Sequence, residues 1–433
     1  PEGSYRISET LKLKPGTVLI GLHPMATNIA LLEDAPAFSG FGGPKAMIES
    51  AAGGTNIISG IGLCTGENNL RAVACKWMSG SASMINDVKF IGGHGTMTPG
   101  PKLTWKWQEP DRGKRRDATY EQAWDTQYWS LWVTNNGGGI FKNIWTANTY
   151  ATSGFYASYT GTRSCVYAMS VEHHVRNEVR FKKVSNWKVF ALQTEEESRE
   201  SSECQPLEIE QCSDMTFANL YMFRVIRVKV PYPYSIRTWD CSNLELLNIH
   251  NYSQVKYTTD NPLYDINTNI EVRPVEMARL YISGKTPGLA SQDTSDEAQL
   301  LAKGFEFAIG ACHDSKGNVY FAEQRMRRIY KWSVETNSLS LVADFPWQPL
   351  SLACDSKDNL LVVFRYDPQP GYVVNGVQEH FENPPDASGT SFSAWGNSGF
   401  TTRAYSINPE HPEETIKELV TVPVSSVSDV YKA

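Results

Sequence analysis

The chain has 433 residues, of which 41% are hydrophobic and 20% charged, as is usual for a folded globular protein. Its 40 basic and 47 acidic residues give a net charge of −7, which argues against nucleic acid as a partner. No apolar run reaches the roughly 18 residues that a membrane span needs, so no membrane partner is expected.

The first half of the chain alternates short apolar segments with Gly and Pro turns. Segments such as 57–63, 88–92, 130–134 and 139–145 show no helical period, and therefore predict short β-strands. Residues 97–126 interrupt this pattern with a stretch rich in Pro, Trp and charge. A long loop on a rigid scaffold often builds a binding cleft, which is the expectation for this insertion.

A longer repeat follows, in which a polar turn precedes an alternating strand. The turns contain Asn186, Asp214 and Asn243, at steps of 28 and 29 residues. Steps of this size are typical of coils in a parallel β-helix, and Asn and Asp suit the bends because they tolerate a left-handed backbone. The chain is therefore predicted to be all-β, with a right-handed parallel β-helix over residues 1–290 as its catalytic domain.

A different repeat appears after residue 300. An Asp-Ser-Lys-x-Asn turn begins at Asp314 and again at Asp355, 41 residues later, and each turn leads into an apolar strand. About 40 residues per four-stranded unit is a β-propeller period. Residues 291–433 are predicted to form a β-propeller-like segment, and an incomplete one, because only about three units fit and closure needs four or more.

The cysteines and histidines give no metal site. Eight cysteines are scattered without the CxxC spacing of zinc sites, so buried free thiols are expected, with a local Cys204–Cys212 bridge as one alternative. His313 lies beside Asp314, but no further ligands can be identified. No metal and no cofactor is assigned.

Two strands carry the candidate chemistry. Glu172-His173-His174 and Gln193-Thr194-Glu195 contain glutamates 23 residues apart, about one coil, so the two carboxylates are expected to be neighbours on one sheet face. Alternation along a strand predicts that Glu172 and His174 share a face, as do Gln193 and Glu195.

Paired carboxylates cleave glycosidic bonds, one as proton donor and one as base or nucleophile, with Gln193 available to hold the attacking water. The separation of the carboxyls, about 5 Å for retention or 6.5–9.5 Å for inversion, is left open. The alternative is a solvated acidic patch, since residues 195–197 are three consecutive glutamates.

The order Glu-His-His, Asn-Trp and then Gln-Thr-Glu resembles glycoside hydrolase family 55 over roughly residues 1–285. The resemblance implies an enzyme of the pectate-lyase-like β-helix class that cleaves β-1,3-glucan from the chain end with inversion. It implies that Glu195 is the general acid, and it places the earlier Glu-His glutamate of the family on Glu172. The second β-helix of that family is replaced here by a segment similar to gluconolactonase and senescence-marker propellers.

Substrate contacts are expected from aromatic rings, because the C–H face of a pyranose packs on them. Five tryptophans are candidates: Trp124, Trp129, Trp132, Trp145 and Trp187. Of these Trp129, Trp132 and Trp187, together with His174, are predicted to bind the substrate.

The predicted function is glycoside hydrolysis of a polysaccharide by a secreted or periplasmic enzyme. Two alternatives stay open: a polysaccharide lyase acting on an acidic glycan, and a non-catalytic carbohydrate-binding solenoid. The exact glycan, the stereochemical outcome, the oligomeric state and the role of the propeller segment do not follow from the sequence.

Overall fold

The fold is known from a computed structural model and is built almost entirely from β-strands. The structure describes residues 2–32, 35–39, 42–66, 69–92, 127–148, 150–174, 176–196, 204–224, 234–253, 261–268, 270–272, 274, 276–284, 301–302, 305, 308–323, 327–345, 347–366, 372–374, 377–379 and 401–422. The helix in this part of the chain is the single turn α1 (Pro412–Thr415). None of the described helical residues forms a segment long and apolar enough to span a membrane.

Sheet A is one of two long sheets and contains eleven of the described strands in the first 282 residues. Its first strands are β1 (Gly3–Ile7), β3 (Val18–Ile20), β4 (Thr27–Leu31), β6 (Ile57–Cys64) and β8 (Met84–Gly92). They are followed by β10 (Gly139–Asn148), β12 (Ser164–Glu172), β14 (Trp187–Glu196), β16 (Ser213–Arg224) and β18 (Ser242–Ser253). The last strand, β21 (Glu276–Ile282), pairs antiparallel with β18 and ends the ladder.

Sheet B takes the strands in between. They are β2 (Leu11–Lys12), β5 (Lys45–Glu49), β7 (Ala72–Trp77), β9 (Gln127–Val133), β11 (Ala151–Thr160), β13 (Asn177–Val184), β15 (Gln205–Glu210), β17 (Tyr234–Trp239), β19 (Asn261–Asp265) and β20 (Ile270–Val272). From β4 to β19 the chain alternates between the two sheets, and each strand pairs in parallel with the strand one coil away. This is a parallel β-solenoid, as the repeat predicts. Its right-handed sense stays a prediction.

The coils are held in register by a column of core residues. Phe141 pairs with Val166, Val166 with Val189, and Val189 with Phe217, so each coil places an apolar side chain over the previous one. These residues belong to one continuous buried cluster that fills the space between the sheets. Burial of this kind contributes about 25 cal/mol per Å² of apolar surface, and it stabilises the stack as a whole.

Every strand of sheet A from β6 to β18 bends at a left-handed residue near its middle. The bend residues have φ between 50° and 67° and are Gly60, Asp87, Asn143, Ala168, Ala191, Asn219 and Asn248. Neighbouring bends also bond to each other, since Asn248 Nδ2 donates to Asn219 Oδ1 at 2.7 Å. The bend divides each strand into a first arm before the bend residue and a second arm after it. The candidate catalytic residues lie on the second arm.

A second ladder of bends lies where sheet A strands begin. Asn186, Asp214 and Asn243 all have positive φ, and Asn243 Nδ2 donates to Asp214 Oδ1 at 2.5 Å. Ser185 pairs with Ser213 and Ser213 with Ser242, so the steps of 28 and 29 residues are coil lengths. The prediction that these residues form stacked turns is confirmed.

The chain after residue 300 forms two four-stranded antiparallel sheets. Sheet C contains β22 (Ala308–His313), β23 (Val319–Glu323), β24 (Arg328–Ser333) and β25 (Ser338–Asp344). Sheet D contains β26 (Gln348–Cys354), β27 (Leu360–Tyr366), β30 (Thr401–Ile407) and β31 (Lys417–Val422). A separate hairpin is formed by β28 (Tyr372–Val374) and β29 (Val377–Glu379).

The two repeated turns have one geometry. Asp314 Oδ1 accepts hydrogen bonds from the backbone N–H groups of Lys316 and Asn318, at 3.0 and 2.9 Å. Asp355 Oδ1 accepts the equivalent bonds from Lys357 and Asn359, at 2.8 and 2.9 Å. The repeat is therefore structural, with one four-stranded sheet per copy. A propeller as such stays a prediction, because the described residues show two such sheets and no closed ring.

Sheets C and D cover the outer face of sheet B. Tyr128 of sheet B packs its ring against Phe345 and Trp347, with each pair of centroids 6.3 Å apart. Arg180 of sheet B donates to Asp344 at 2.7 Å. The boundary between the two predicted domains therefore holds an extensive buried contact.

Charged side chains form the centre of this contact. Arg328 of β24 donates to Glu208 of β15 at 2.6 Å and to Asn177 at 3.0 Å, and both members of the ion pair are almost completely buried. Glu210 accepts the backbone N–H of Leu341 at 2.9 Å. A buried charge is tolerated only with a partner, so these pairs fix how the antiparallel sheets lie on the solenoid.

Replacing Arg328 with Ala removes the hydrogen-bonded cation of the buried Glu208 and leaves only the longer contact with Arg180 Nε at 3.5 Å, so we expect a loss of about 3–5 kcal/mol in the free energy of unfolding. The matched control is Lys331→Ala on the same strand, which breaks a more exposed pair with Glu410 and should cost less than about 1 kcal/mol. Urea unfolding of both variants measures the difference, and equal losses would contradict the buried-contact account.

Candidate active site on the outer face of sheet A

The two predicted carboxylates are direct neighbours. In the parallel ladder Glu172 of β12 pairs with Glu195 of β14, one coil apart, which places their backbones about 4.8 Å from each other. Both side chains are half-buried on the outer face of sheet A, in the second arm beyond the bend residues Ala168 and Ala191. The pairing expected from the 23-residue spacing is therefore present in the fold.

Glu172 is surrounded by hydrogen-bond donors. Ser170 Oγ donates to its Oε1 at 3.0 Å, and the indole N–H of Trp145 donates to the same oxygen. His173 Nε2 lies 3.4 Å from Oε2. Burial opposes ionisation of this carboxyl, but the interactions with His173, Trp145 and Ser170 outweigh burial and lower the pKa of Glu172.

Glu195 has a different environment. Gln193 Nε2 donates to Glu195 Oε2 at 3.1 Å, and Gln193 itself pairs with Ser170 on one side and Tyr221 on the other. The in-register neighbour of Glu195 on the next coil is Phe223, so an aromatic residue lies beside this glutamate on the side away from Glu172. Two adjacent carboxyls in unlike surroundings are the arrangement that separates an acid from a base.

Three aromatic rings continue this face beyond Glu195, and we call them the aromatic trio: Tyr221, Phe223 and Tyr252. Phe223 and Tyr252 are ladder partners with ring centroids 5.6 Å apart and planes within 9°. Tyr221 lies 6.0 Å from Phe223 and 6.3 Å from Tyr252, also nearly parallel. Tyr221 and Tyr252 are 40% and 49% exposed, so their faces are available to a ligand.

Trp145 lies on the opposite side of the carboxylate pair. It is half-buried on β10, and Lys89 Nζ lies 4.8 Å from the centroid of its ring. Lys89, Trp145, Ser170, Gln193 and Tyr221 succeed one another in the ladder, one per coil. Aromatic surface therefore flanks Glu172 and Glu195 in both directions along the solenoid axis.

His173 takes an unusual conformation. Its φ is 71°, a left-handed value that is uncommon for a residue other than Gly, and its backbone N–H donates to the carbonyl of Glu195. Backbone in this region clusters at functional sites. In His173 this conformation directs the imidazole toward the Glu172 carboxylate, and the strand β12 ends at the residue before it.

The same bend sends His174 inward. His174 is buried, with Nδ1 at 2.6 Å from Glu178 and Nε2 at 3.0 Å from Thr146. The prediction that His174 shares a face with Glu172 and binds substrate is therefore wrong. The left-handed His173 breaks the strand alternation on which it was based.

The three predicted tryptophans are also inside the protein. Trp187 is buried in the solenoid core, where it stacks on Phe141 at 5.5 Å and 19°. Trp129 and Trp132 are buried in the cluster that joins sheet B to sheets C and D. None of the three can stack on a sugar, because their faces pack against protein. Trp124 and the insertion 97–126 lie outside the described residues.

The second glutamate of the acidic run 195–197 is not solvated. Glu196 is buried and paired with Arg224 through two hydrogen bonds of 2.5 Å. Burial raises the pKa of Glu196 to about 7 in spite of the arginine. The third glutamate of the run lies beyond the described residues.

The sequence prediction missed the aromatic trio and His173. The coil length contains a signal for the trio, since Gln193 plus 28 residues reaches Tyr221, and Glu195 plus 28 and then 29 reaches Phe223 and Tyr252. No sequence pattern predicts the left-handed backbone conformation of His173. Cys204 and Cys212 are both free and buried, so the alternative of a local bridge between them is wrong. No three His, Cys, Asp or Glu side chains converge as metal ligands in the described part of the chain.

Comparison with known proteins gives little. No protein-family model and no curated protein matches the sequence. Among solved structures, the enzymatically active domain of tailspike protein 2 from bacteriophage CBA120 is similar over 96% of this chain and 71% of its own, with 9% identity and a TM-score of 0.29. A similarity at this level assigns neither a family nor an activity. The resemblance to family 55 therefore stays a prediction.

The low pKa of Glu172 can be measured without any substrate. We expect its carboxyl to titrate below the ordinary value of about 4.3 in ¹³C NMR, and the midpoint to rise in His173→Asn. Asn tolerates the left-handed backbone while removing the imidazole. The control His250→Asn, on the same face near the aromatic trio, should leave the midpoint unchanged. An unshifted midpoint in His173→Asn would rule out this role for His173.

Proposed function

We propose that the chain is a glycoside hydrolase that cleaves a polysaccharide on the outer face of sheet A. The observation that carries the proposal is the in-register pair of Glu172 and Glu195 in unlike environments, flanked along the axis by exposed aromatic rings. A carboxylate pair supplies the acid and the base, and parallel rings supply the contact that sugars favour.

In this mechanism Glu195 is the general acid. Ionised Glu172 beside it makes a second negative charge costly, so Glu195 is the carboxyl that keeps its proton. Glu195 transfers that proton to the glycosidic oxygen as the C–O bond breaks. Glu172 takes a proton from the water that attacks the anomeric carbon, and Gln193 orients the water. Proton exchange with solvent then restores both groups.

The hydrogen bonds of Glu172 favour inversion over retention. Its Oε1 is held by Trp145, which lies on β10, on the side of β12 away from Glu195. Gln193 holds Glu195 from its own strand. These bonds direct the Glu172 carboxyl toward β10 and away from β14, and we infer that the two carboxyls stand farther apart than the strand spacing of about 4.8 Å, with room for the water that an inverting enzyme needs.

The proposed substrate lies along the solenoid axis. From Trp145 to Tyr252 there are four ladder steps, or about 19 Å at the usual strand spacing, enough for a short run of sugar rings. Neutral β-1,3-glucan attacked from the chain end is the substrate that the motif resemblance supports. A secreted or periplasmic location belongs to the same proposal.

Glu195→Gln is the direct test. On a panel of β-1,3-glucan, β-1,4-glucan and uronic-acid polysaccharides, we expect hydrolysis of one neutral glucan by the native chain and a loss of about 10²- to 10⁴-fold in the variant. ¹H NMR of the first product should show the inverted anomer. The matched control is Glu245→Gln, another carboxyl on the outer face of sheet A, paired with Arg279.

The alternatives give different results in the same panel. An unsaturated uronide product would identify a lyase, and binding without turnover would identify a carbohydrate-binding solenoid. Full activity in a folded Glu195→Gln variant would remove Glu195 from the mechanism.

Tyr252→Ala tests the aromatic trio separately from the chemistry. Loss of one exposed ring should weaken glycan binding about tenfold, which raises KM while kcat changes little, because the ring is two coils from Glu195 and three from Glu172. Calorimetry on the Glu195→Gln background measures the affinity alone. Tyr5→Ala, an equally exposed ring on the first coil, is the control and should have no effect.

A further inference from the structure

Two cysteines meet where sheet C lies against sheet D. Cys312 is near the end of β22 and Cys354 ends β26, and their sulfur atoms are 3.3 Å apart in a thiol hydrogen bond. Both side chains are half-buried. They lie at the starts of the two repeated turns, Cys312 two residues before Asp314 and Cys354 one residue before Asp355.

The sheets are also held together beside this pair. The backbone N–H and the hydroxyl of Ser315 both donate to the carboxylate of Asp358, at 2.7 and 2.6 Å. The two turns are therefore fixed against each other independently of the thiols. A disulfide has an S–S length of about 2.05 Å, so the sulfurs need to approach by only about 1.3 Å to form the bond.

We propose that Cys312 and Cys354 are a thiol–disulfide modification site, at which a small-molecule disulfide of the glutathione class oxidises the pair and links sheet C covalently to sheet D. This site is independent of the proposed glycosidase chemistry, since it lies on the antiparallel sheets that cover sheet B.

Cys354 is the first nucleophile. The hydrogen bond from Cys312 lowers the pKa of Cys354, although burial and the carboxylates of Asp314, Asp358 and Asp355 oppose this. The same pairing raises the pKa of Cys312. The thiolate of a cysteine, and not its thiol, attacks a disulfide, so the exchange begins at Cys354.

The exchange balances in two steps. Cys354 thiolate attacks one sulfur of oxidised glutathione, the S–S bond breaks, and one glutathione thiolate leaves. Cys312 then loses its proton and attacks the Cys354 sulfur of the mixed disulfide, releasing the second glutathione thiolate, which takes up a proton. Two protein thiols are oxidised by two electrons, and one disulfide is reduced to two thiols.

The chain contains a matched control pair. Cys212 and Cys241 are also neighbours, but both are buried in the solenoid core. Their thiols donate to backbone carbonyls, from Cys212 to Glu210 at 3.1 Å and from Cys241 to Trp239 at 3.2 Å. A reagent in solution reaches Cys312 and Cys354, and does not reach these two while the chain is folded.

The experiment treats the folded, reduced full chain with oxidised glutathione, then quenches, unfolds and labels free thiols with N-ethylmaleimide. The reduced chain takes up eight labels, one per cysteine, and the oxidised chain should take up two fewer. A non-reducing peptide map should show Cys312 linked to Cys354. Cys312→Ser should instead retain one glutathione on Cys354, and Cys212→Ser should still lose two labels.

Thermal unfolding gives a second readout. The link closes a loop of the chain, so the transition midpoint of the oxidised protein should rise and return to its original value with dithiothreitol. Neither Cys312→Ser nor Cys354→Ser should show this shift. Eight labels after oxidation, a link between other cysteines, or glutathione adducts on both thiols without a cross-link would each overturn the proposal.

Discussion

The parallel ladder of sheet A is the constraint on which the candidate site depends. Glu172 meets Glu195 only because consecutive coils pair without a shift, and a slip of one residue would turn either carboxyl from the outer face into the core. Two features fix the register: the apolar column that runs from Phe141 through Phe217 to Leu246, and the stacked left-handed bends. Because the bends also bond to each other, a slipped coil would lose both kinds of contact.

The bends explain why chemistry lies on the second arm. A left-handed residue in each strand redirects the backbone, so two successive side chains point outward before alternation resumes. Tyr167 and Ala168 are such a pair on β12, and Ser170 and Glu172 follow on the outer face. Asn or Asp occupies several of these positions because their short polar side chains tolerate the conformation. Alanine at 168 and 191 has no such advantage, and the surrounding ladder imposes the conformation there.

Coil length is a property of the sequence, and three of its consequences could be predicted: the parallel solenoid, the turns at Asn186, Asp214 and Asn243, and the pairing of Glu172 with Glu195. Contacts between distant segments could not. The burial of Trp132 depends on sheets C and D, which are formed by residues more than 170 positions later. No local sequence pattern on β9 predicts that these sheets pack over it. The inward turn of His174 depends on the φ of one preceding residue.

Four glutamates lie close together in the chain, and they differ in burial: Glu172 and Glu195 lie on the outer face, whereas Glu178 and Glu196 are buried. Glu172 faces outward among donors that lower its pKa, whereas Glu178 and Glu196 turn into the solenoid, where burial raises theirs. The paired cation Arg224 stays with Glu196, and His174 stays with Glu178. The two buried carboxyls, Glu178 and Glu196, are therefore each bound to a structural partner inside the solenoid. Glu172 and Glu195 are left as the pair on the outer face.

The cover on sheet B determines which face of the solenoid can meet a ligand. Sheets C and D bury the charged and aromatic residues of sheet B, including Arg180 and Tyr128, so in the described residues this face is an internal interface. No residue in the described part of the chain covers Tyr221 and Tyr252 of sheet A in this way, and their rings are nearly parallel and exposed. The same residue type thus has two roles that composition cannot distinguish: outer-face aromatic rings of sheet B, such as Tyr128, join the two parts of the chain, whereas Tyr221 and Tyr252 on the outer face of sheet A are exposed. The asymmetry between the faces, more than the number of tryptophans, is what supports a polysaccharide site beside the carboxylate pair.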